Sequence, residues 1–263
     1  MRFEADMHKR FVEQAAWTLQ AQAMFVQAAG VTADSAVLEV GCGTGAVLSS
    51  LASIASARYT GIDIQPGLLQ HAAAAFPGFA ITQADGFHLP FGHDQFDAVF
   101  CHYLLLWVSD VPAILREMLR VTRPSGFVGA LAEPDYGSRI DYPSKFETSG
   151  MAQRDALIRQ GADPDMGRKL PAALAEAGCL EIAHGILGSY MPVPPTEEQI
   201  RSEQSILLND LSGDGINTER EKLLTEDTES RRRNIRVQFI PTFFGWGKKS
   251  TGNFPEILHN LLY

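Results

Sequence analysis

The chain has 263 residues, of which 45% are hydrophobic and 20% charged, and its formal net charge at pH 7 is −9. Such a composition is typical of a folded globular protein and argues against a disordered chain or a small disulfide-stapled scaffold. The negative net charge argues against a nucleic-acid partner, since binding a phosphate backbone requires a basic surface. The three cysteines contain no CxxC pair, so no zinc site is indicated.

The N-terminal segment has no apolar h-region, and no run approaches the roughly 18 apolar residues that cross a bilayer. We therefore expect a cytoplasmic protein without a membrane association, a metal or a nucleic-acid partner. In chain order, the first predicted element is one helix from Glu4 to Ala29, ending at Gly30.

Strands then alternate with helices of about ten residues. The predicted strands are SAVLEV, RYTGIDI, FAITQA, FDAVFC and GFVGALAEP, and the helices between them cover 45–55, 66–75 and 111–121. This alternation is typical of right-handed βαβ units and a parallel sheet.

After Pro134 the sequence becomes rich in aromatic, charged and turn-forming residues. The later predicted elements are helices at 151–160 and 168–177, a strand at CLEIAHGILGSY, helices at 197–209 and 218–233, and a β-rich run at VQFIPTFFGWGKK. The stretch 191–195 interrupts the chain between the strand and the last two helices.

Three glycines lie within VLEVGCGTGAVL, directly after the first predicted strand. Glycine adopts positive φ easily and allows a ligand to approach the backbone. A glycine-rich turn between a strand and a helix is also expected to point unpaired N–H groups at a ligand. The motif fits the loose G-x-G-x-x-A dinucleotide pattern as well, so the glycines alone leave the cofactor open.

Two carboxylates follow the next two strands. Asp63 ends the second strand, where a βαβ unit places it beside the glycine loop and in reach of ribose hydroxyls. Asp85 leaves the third strand at a polar turn, where it can accept from an exocyclic amino group, and Gly86 permits close approach. The sequence therefore predicts a nucleoside cofactor with a free ribose diol.

Four motifs in combination resemble the class I S-adenosylmethionine-dependent methyltransferases, closest in style to the small-molecule enzymes of the ubiquinone/menaquinone biosynthesis type. They are VLEVGCGTG at 37–45, GIDI at 61–64, QADGFHLPF at 83–91 and FDAVFCHYLLLWV at 96–108. The resemblance covers residues 30 to 135.

The resemblance implies an α/β, Rossmann-like, doubly wound fold with a mostly parallel seven-stranded sheet whose last strand is antiparallel. Around it we expect an N-terminal helical cap (1–30), an S-adenosylmethionine-binding core (31–190), a helical insertion before the last strand (191–235), and the final strand with a C-terminal tail (236–263).

The resemblance also implies which residues bind S-adenosyl-L-methionine. They are Glu39, Gly41, Cys42, Gly43, Gly45, Asp63, Ile64, Ala84, Asp85, Gly86, Cys101 and His102. The catalytic residues stay unassigned, with His102, Tyr103 and Tyr136 as candidates, because the cofactor carries the activated group and a dedicated base is optional.

The expected reaction is in-line methyl transfer to a small, partly apolar molecule. The loop from Glu133 to Tyr142 offers Asp135, Tyr136 and Arg139 as further acceptor contacts, and the N-terminal helix and the insertion could also cover the acceptor. Two alternatives stay open at this point: a nicotinamide-dependent oxidoreductase and a non-catalytic S-adenosylmethionine-binding protein.

Overall fold

The computed structural model of the protein describes residues 2–188, 195–211 and 218–251. The helices are α1 (Arg2–Trp17), α2 (Leu19–Ala29), α3 (Ala46–Ile54), α4 (Pro66–Ala75), α5 (Val111–Val121), α6 (Glu147–Arg159), α7 (Met166–Ala177), α8 (Glu197–Asp210) and α9 (Thr218–Arg232). The strands are β1 (Ala36–Val40), β2 (Arg58–Asp63), β3 (Ala80–Gln83), β4 (Phe96–Cys101), β5 (Thr122–Pro134), β6 (Ile140–Tyr142), β7 (Leu180–Leu187), β8 (Val237–Phe239) and β9 (Thr242–Lys248).

Seven strands form one sheet in the order β3-β2-β1-β4-β5-β9-β7. The first five are parallel, whereas β9 is antiparallel to both β5 and β7. This confirms the mostly parallel seven-stranded sheet with an antiparallel last strand. Val40 at the end of β1 pairs with Ile62 on one side and Cys101 on the other, so the carboxyl ends of β1, β2 and β4 meet at one edge.

Helices cover both faces of the sheet, because its central strands are apolar on both sides. On one face α5 and α7 pack against the sheet through buried side chains such as Met118 and Leu170. On the other face α2 and α3 contribute Phe25, Leu48 and Leu51. The two cores hold the carboxyl edge of the sheet rigidly, and the cofactor motifs lie at that edge.

The N-terminal segment is two helices, and the expectation of a single helix from Glu4 to Ala29 is wrong. The break falls at Thr18, whose hydroxyl lies 3.2 Å from the backbone carbonyls of Gln14 and Ala15. A threonine that bonds to the preceding turn bends or ends a helix. The predicted end at Gly30 is confirmed, with Gly30 in the left-handed conformation that terminates α2.

The run VQFIPTFFGWGKK is also not one strand. Pro241 interrupts it, and the two halves join different sheets: β9 enters the main sheet, whereas β8 pairs antiparallel with β6. Strand β6 lies in the segment that the sequence predicted as loop. Proline removes a ladder donor, which explains why the chain changes sheet there.

Helices α8 and α9 lie where the sequence predicted the insertion, and α8 begins with a capping box in which the Thr196 hydroxyl accepts from Gln199 N. The predicted break at 191–195 and the C-terminal tail lie largely outside the described residues. No helix in the described ranges is both long and apolar enough to cross a bilayer. The division into four segments stays a proposal.

Candidate functional site

A cavity of about 940 Å3 opens at the carboxyl edge of the sheet. One end is formed by the turn after β1 and by the ends of β2, β3 and β4. The other end is closed by α1, α6, α8 and β8. The cavity therefore joins the predicted cofactor motifs to the N-terminal helix and to the insertion.

The glycine loop has the backbone geometry that the sequence predicted. Gly41, Gly43 and Gly45 have φ of 76°, 53° and 77°, values that side-chain-bearing residues rarely adopt. A Cβ on Gly43 would lie 3.1 Å from the ring of Phe11, and one on Gly41 would lie 3.0 Å from Leu104. The glycines thus allow neighbouring side chains, as well as a ligand, to approach the loop.

Four of the five N–H groups from Gly41 to Gly45 already have partners within the protein, which corrects the expectation of unpaired donors at these positions. Gly41 N and Cys42 N both donate to the Ile62 carbonyl, each at 2.8 Å, and Gly45 N donates to Cys42 O at 2.8 Å. Gly43 N donates to Asp63 Oδ2 at 2.8 Å. The loop is therefore pre-formed by its own hydrogen bonds.

Asp63 connects this loop to the following helix. Its second oxygen, Oδ1, accepts from Gln65 N at 2.9 Å, next to the start of α4 at Pro66. Each carboxylate oxygen has a second lone pair, so these two bonds leave acceptor capacity for ribose hydroxyls. Asp63 lines the cavity, and so does its neighbour Ile64.

Glu39, on β1, supplies the observation that best fits the cofactor. The side chain is buried, it lines the cavity, and its Oε2 has no hydrogen-bond partner within the described part of the chain. Burial, together with the nearby charge of Asp63, raises the pKa of Glu39 well above its usual range. The carboxylate has a backbone hydrogen bond from Leu48, but a buried charged oxygen without a partner is costly, and the ammonium group of S-adenosylmethionine would supply both the donor and the charge.

The turn after β3 lies next to Asp63, since Ala84 N donates to the backbone carbonyl of Asp63 at 3.0 Å. Ala84, Asp85 and Gly86 all line the cavity. Asp85 Oδ1 accepts from Phe87 N at 2.9 Å, and this bond, with one to His88, lowers the pKa of Asp85. The carboxylate is exposed and ionised, as an acceptor for an adenine amino group requires.

Two of the implied cofactor residues lie outside the cavity wall. Cys101 is fully buried in the core on the α5 side, and Gly45 is the N-cap of α3. Cys42 does line the cavity, but burial raises the pKa of its thiol, so the reactive thiolate is disfavoured.

His102 follows β4 and lines the cavity beneath the break between α1 and α2. Its Nε2 lies 2.8 Å from Thr18 Oγ1, and Gln22 Nε2 donates to that same hydroxyl at 2.9 Å. Burial lowers the pKa of His102 to about 3. The imidazole is therefore neutral at pH 7, and it positions the N-terminal helices against the cofactor end of the cavity.

Tyr103 has a φ of 51°, which directs the backbone into a tight turn after β4. Burial raises the pKa of Tyr103 to about 12, with a hydrogen bond to Thr242 acting against the rise. The phenol is protonated at neutral pH and lines the cavity between the cofactor end and the α8 end.

The loop that the sequence predicted as the acceptor contact is mostly structural, and only Tyr136 of the five named residues lines the cavity. Glu133 accepts from the N–H groups of Leu104, Leu105 and Leu106, and so caps the short 3-10 turn there. Of the remaining three residues, Asp135 forms an ion pair with Arg168, and Arg139 forms one with Asp141. Tyr142 is exposed on β6.

Sequence reasoning missed the polar residues at the far end of the cavity. They are Arg10 and Gln14 on α1, Gln153 and Gln160 at α6, and Glu203, Asn209 and Asp210 on α8. The sequence did name the N-terminal helix and the insertion as covers for an acceptor, but no motif marks these positions. Among the described residues, no cluster of His, Cys, Asp and Glu is arranged to hold a metal ion.

Comparison with known proteins supports the cofactor site. Residues 38–129 match the family described as methyltransferase domain. The demethylmenaquinone methyltransferase of Tropheryma whipplei is 37% identical over 121 residues, which are 44% of this chain and 47% of that protein. The chain thus spans about half the length of this relative. An uncharacterized methyltransferase of Schizosaccharomyces pombe is 26% identical over 83% of this chain and 80% of its own length.

The fold has solved counterparts. Phosphoethanolamine N-methyltransferase 2 of Haemonchus contortus, solved in complex with S-adenosyl-L-methionine, has a TM-score of 0.58 at 14% identity, covering 88% of this chain and 52% of that one. This likeness concerns the fold, whereas the motifs and the domain match concern the cofactor. Residues 38–129 are therefore a methyltransferase domain, similar to the corresponding part of the ubiquinone/menaquinone biosynthesis methyltransferases.

Proposed function

We propose that the protein transfers the methyl group of S-adenosylmethionine to a small, partly apolar molecule by in-line displacement. The observation that carries the proposal is the continuous cavity, which extends from the glycine loop, Asp63 and Asp85 to a closed end under α1 and α8. A cavity of about 940 Å3 is large enough for a cofactor and a small acceptor together.

The lining of the far end supports an acceptor that is only partly apolar. Apolar contacts come from Trp17, Ile206, Leu207 and Phe239, and polar groups lie between them. A mostly apolar wall with a few polar groups is the usual composition of a small-molecule site. The relative from Tropheryma whipplei is named for demethylmenaquinone, a molecule of this general character.

The residues of the chain hold and orient the reactants. Glu39, Asp63 and Asp85 would bind the ammonium, ribose and adenine groups of S-adenosylmethionine, which supplies an activated methyl group when bound. Helix α1 covers the glycine loop through Phe11, and its end at Thr18 bonds to His102. This cover excludes water from the space where the acceptor would meet the methyl group.

Tyr136→Ala tests the placement of the acceptor. Because Tyr136 lines the cavity away from the cofactor carboxylates, we expect the variant to lower turnover or to raise the apparent KM for the acceptor, with cofactor affinity unchanged. The measurement is transfer of labelled methyl from S-adenosylmethionine to a panel of small quinols, phenols, carboxylic acids and amines, with calorimetry of the cofactor in parallel.

Tyr142→Ala is the matched control, because Tyr142 belongs to the same segment but is exposed on β6 outside the cavity. It should leave both turnover and cofactor affinity at the wild-type level. Label transfer to no acceptor, despite cofactor binding, would instead support a non-catalytic S-adenosylmethionine-binding protein. Loss of cofactor affinity in Tyr136→Ala would place the acceptor elsewhere.

A further inference from the structure

Arg10 is the only arginine or lysine among the described residues that line the cavity. It lies on α1, one helical turn before Gln14, and its guanidinium is directed toward Asp210 at the end of α8. Its side chain is 29% exposed, so most of it is enclosed by the protein. An enclosed guanidinium normally makes several charge-assisted hydrogen bonds.

The guanidinium of Arg10 has unusually few partners. Its Nε is buried and has no hydrogen-bond partner in the described part of the chain. Among the described residues its ion-pair partner is Asp210, at 4.0 Å from Nη2 to Oδ1, which is beyond hydrogen-bond distance. Asp210 has a better partner on its other oxygen, where Gln153 Nε2 donates at 2.6 Å. Arg10 therefore keeps donor capacity toward the cavity.

The other acidic residue at this end, Glu203, does not neutralise Arg10. It accepts from Gln238 Nε2 at 3.1 Å and lies near three arginines, whose charges oppose the rise that burial causes in its pKa. Those arginines are Arg139, Arg231 and Arg236, and two aspartates, Asp141 and Asp227, bridge them. With Glu203 this network has three positive and three negative charges, so it is neutral by itself.

A protonated phenol lines the same cavity as Arg10. Burial raises the pKa of Tyr136, and the positive charge of Arg10 acts against the rise. Asp210 raises the pKa of Tyr136 further, so the hydroxyl stays a donor at neutral pH. The guanidinium of Arg10 and the phenol of Tyr136 thus line one cavity.

We propose that Arg10 binds a carboxylate of the methyl acceptor and so determines which small molecules the protein accepts. The planar guanidinium, with its several N–H donors, matches two carboxylate oxygens, whereas a phenol is uncharged at neutral pH. A doubly charged phosphate fits poorly, because Arg10 supplies only one positive charge and the nearby carboxylate of Asp210 would repel the phosphate. The inference rests on the proposed function, since it assigns the acceptor end of the same cavity.

The test is calorimetric binding of matched acid and amide probes, with and without saturating S-adenosylhomocysteine. The pairs are benzoate with benzamide, 4-hydroxybenzoate with 4-hydroxybenzamide, and octanoate with octanamide. We expect at least one acid to bind about tenfold or more tightly than its amide, as a charge-assisted hydrogen bond implies. Arg10→Gln should abolish that preference, and Arg10→Lys should retain part of it.

Lys9→Gln is the matched control. It removes the same charge from the neighbouring position of α1, where Lys9 pairs with Glu198 on the surface and does not line the cavity. The acid preference should survive in Lys9→Gln, and circular dichroism should show all three variants folded.

Two results would overturn the inference: no acid binds in preference to its amide, or the preference persists in Arg10→Gln. Either result with normal S-adenosylhomocysteine binding leaves the proposed function standing. Failure of S-adenosylhomocysteine to bind contradicts the proposed function instead, and the titrations without it still decide whether Arg10 binds carboxylates.

Discussion

Asp63 uses its two oxygens to join the glycine loop to the start of α4. Oδ2 accepts from Gly43 N and Oδ1 accepts from Gln65 N, so the carboxylate fixes the loop before any ligand binds. The same oxygens have lone pairs left for ribose hydroxyls. A single side chain thus shapes the site and contacts the ligand in it.

Asp63→Ala should therefore weaken S-adenosylmethionine binding by about 1.5–3 kcal/mol, the range for hydrogen bonds to a charged group. Calorimetry measures the loss. Asp97→Ala is the control, because Asp97 Oδ2 accepts from Ala36 N at 2.7 Å at the opposite edge of the sheet. That variant should lose stability and keep its cofactor affinity. Unchanged affinity in a folded Asp63→Ala variant would remove Asp63 from the cofactor site.

At the residue scale, sequence spacing placed Glu39, Asp63 and Asp85 in one site, and the structure has all three lining the same cavity. Each lies within two residues of a strand's carboxyl end, and parallel strands bring such positions to one edge. Spacing could not predict that the Cys101 side chain is buried in the core. Successive side chains of a strand point to opposite faces of the sheet, and the sequence does not say which face the last residue of β4 takes. The sequence also could not show that Gly41 N and Cys42 N donate to the backbone carbonyl of Ile62.

At the scale of elements, the break between α1 and α2 determines how the N-terminal segment meets the sheet. Apolar periodicity continues through Thr18, so the sequence predicted one helix. The local bonds of Thr18 to the carbonyls of Gln14 and Ala15 act together with a tertiary contact at the break, since Thr18 Oγ1 also lies 2.8 Å from His102 Nε2. Likewise, sequence patterns cannot say that β8 leaves the main sheet to pair with β6, because that choice depends on a distant partner.

The burial of His102 makes stability depend on pH. Burial lowers the pKa of His102 from 6.5 to about 3, so between these values the unfolded chain binds a proton that the folded chain does not. The free energy of unfolding should be retained above pH 6.5 and should fall as the pH drops toward 3, with a slope of up to about 1.4 kcal/mol per pH unit from this group.

Denaturant unfolding at a series of pH values measures this slope. Other groups also titrate in the range, so the informative quantity is the difference between variants. His102→Asn should lose the part of the slope that comes from His102. His184→Asn, which removes an exposed histidine on β7, should follow the wild type. Identical slopes in all three proteins would show that His102 is not kept neutral by the fold.

At the scale of the whole molecule, the cavity combines two parts of different origin. The sheet and its flanking helices provide a rigid cofactor edge, which the motifs at 37–45, 61–64 and 83–91 predicted. The cover comes from α1, α8 and β8, whose sequences contain no recognisable motif. The cofactor could therefore be predicted from the sequence, whereas the acceptor end required the structure.

A crystal structure of the protein with S-adenosylhomocysteine tests this arrangement most directly. We predict the amino group of the ligand against Glu39, the ribose on Asp63, the adenine beside Asp85, and the sulfur facing Tyr103, with the space toward Arg10 and Tyr136 left open. A ligand bound elsewhere, or a sulfur pointing away from the space under α1 and α8, would contradict the account.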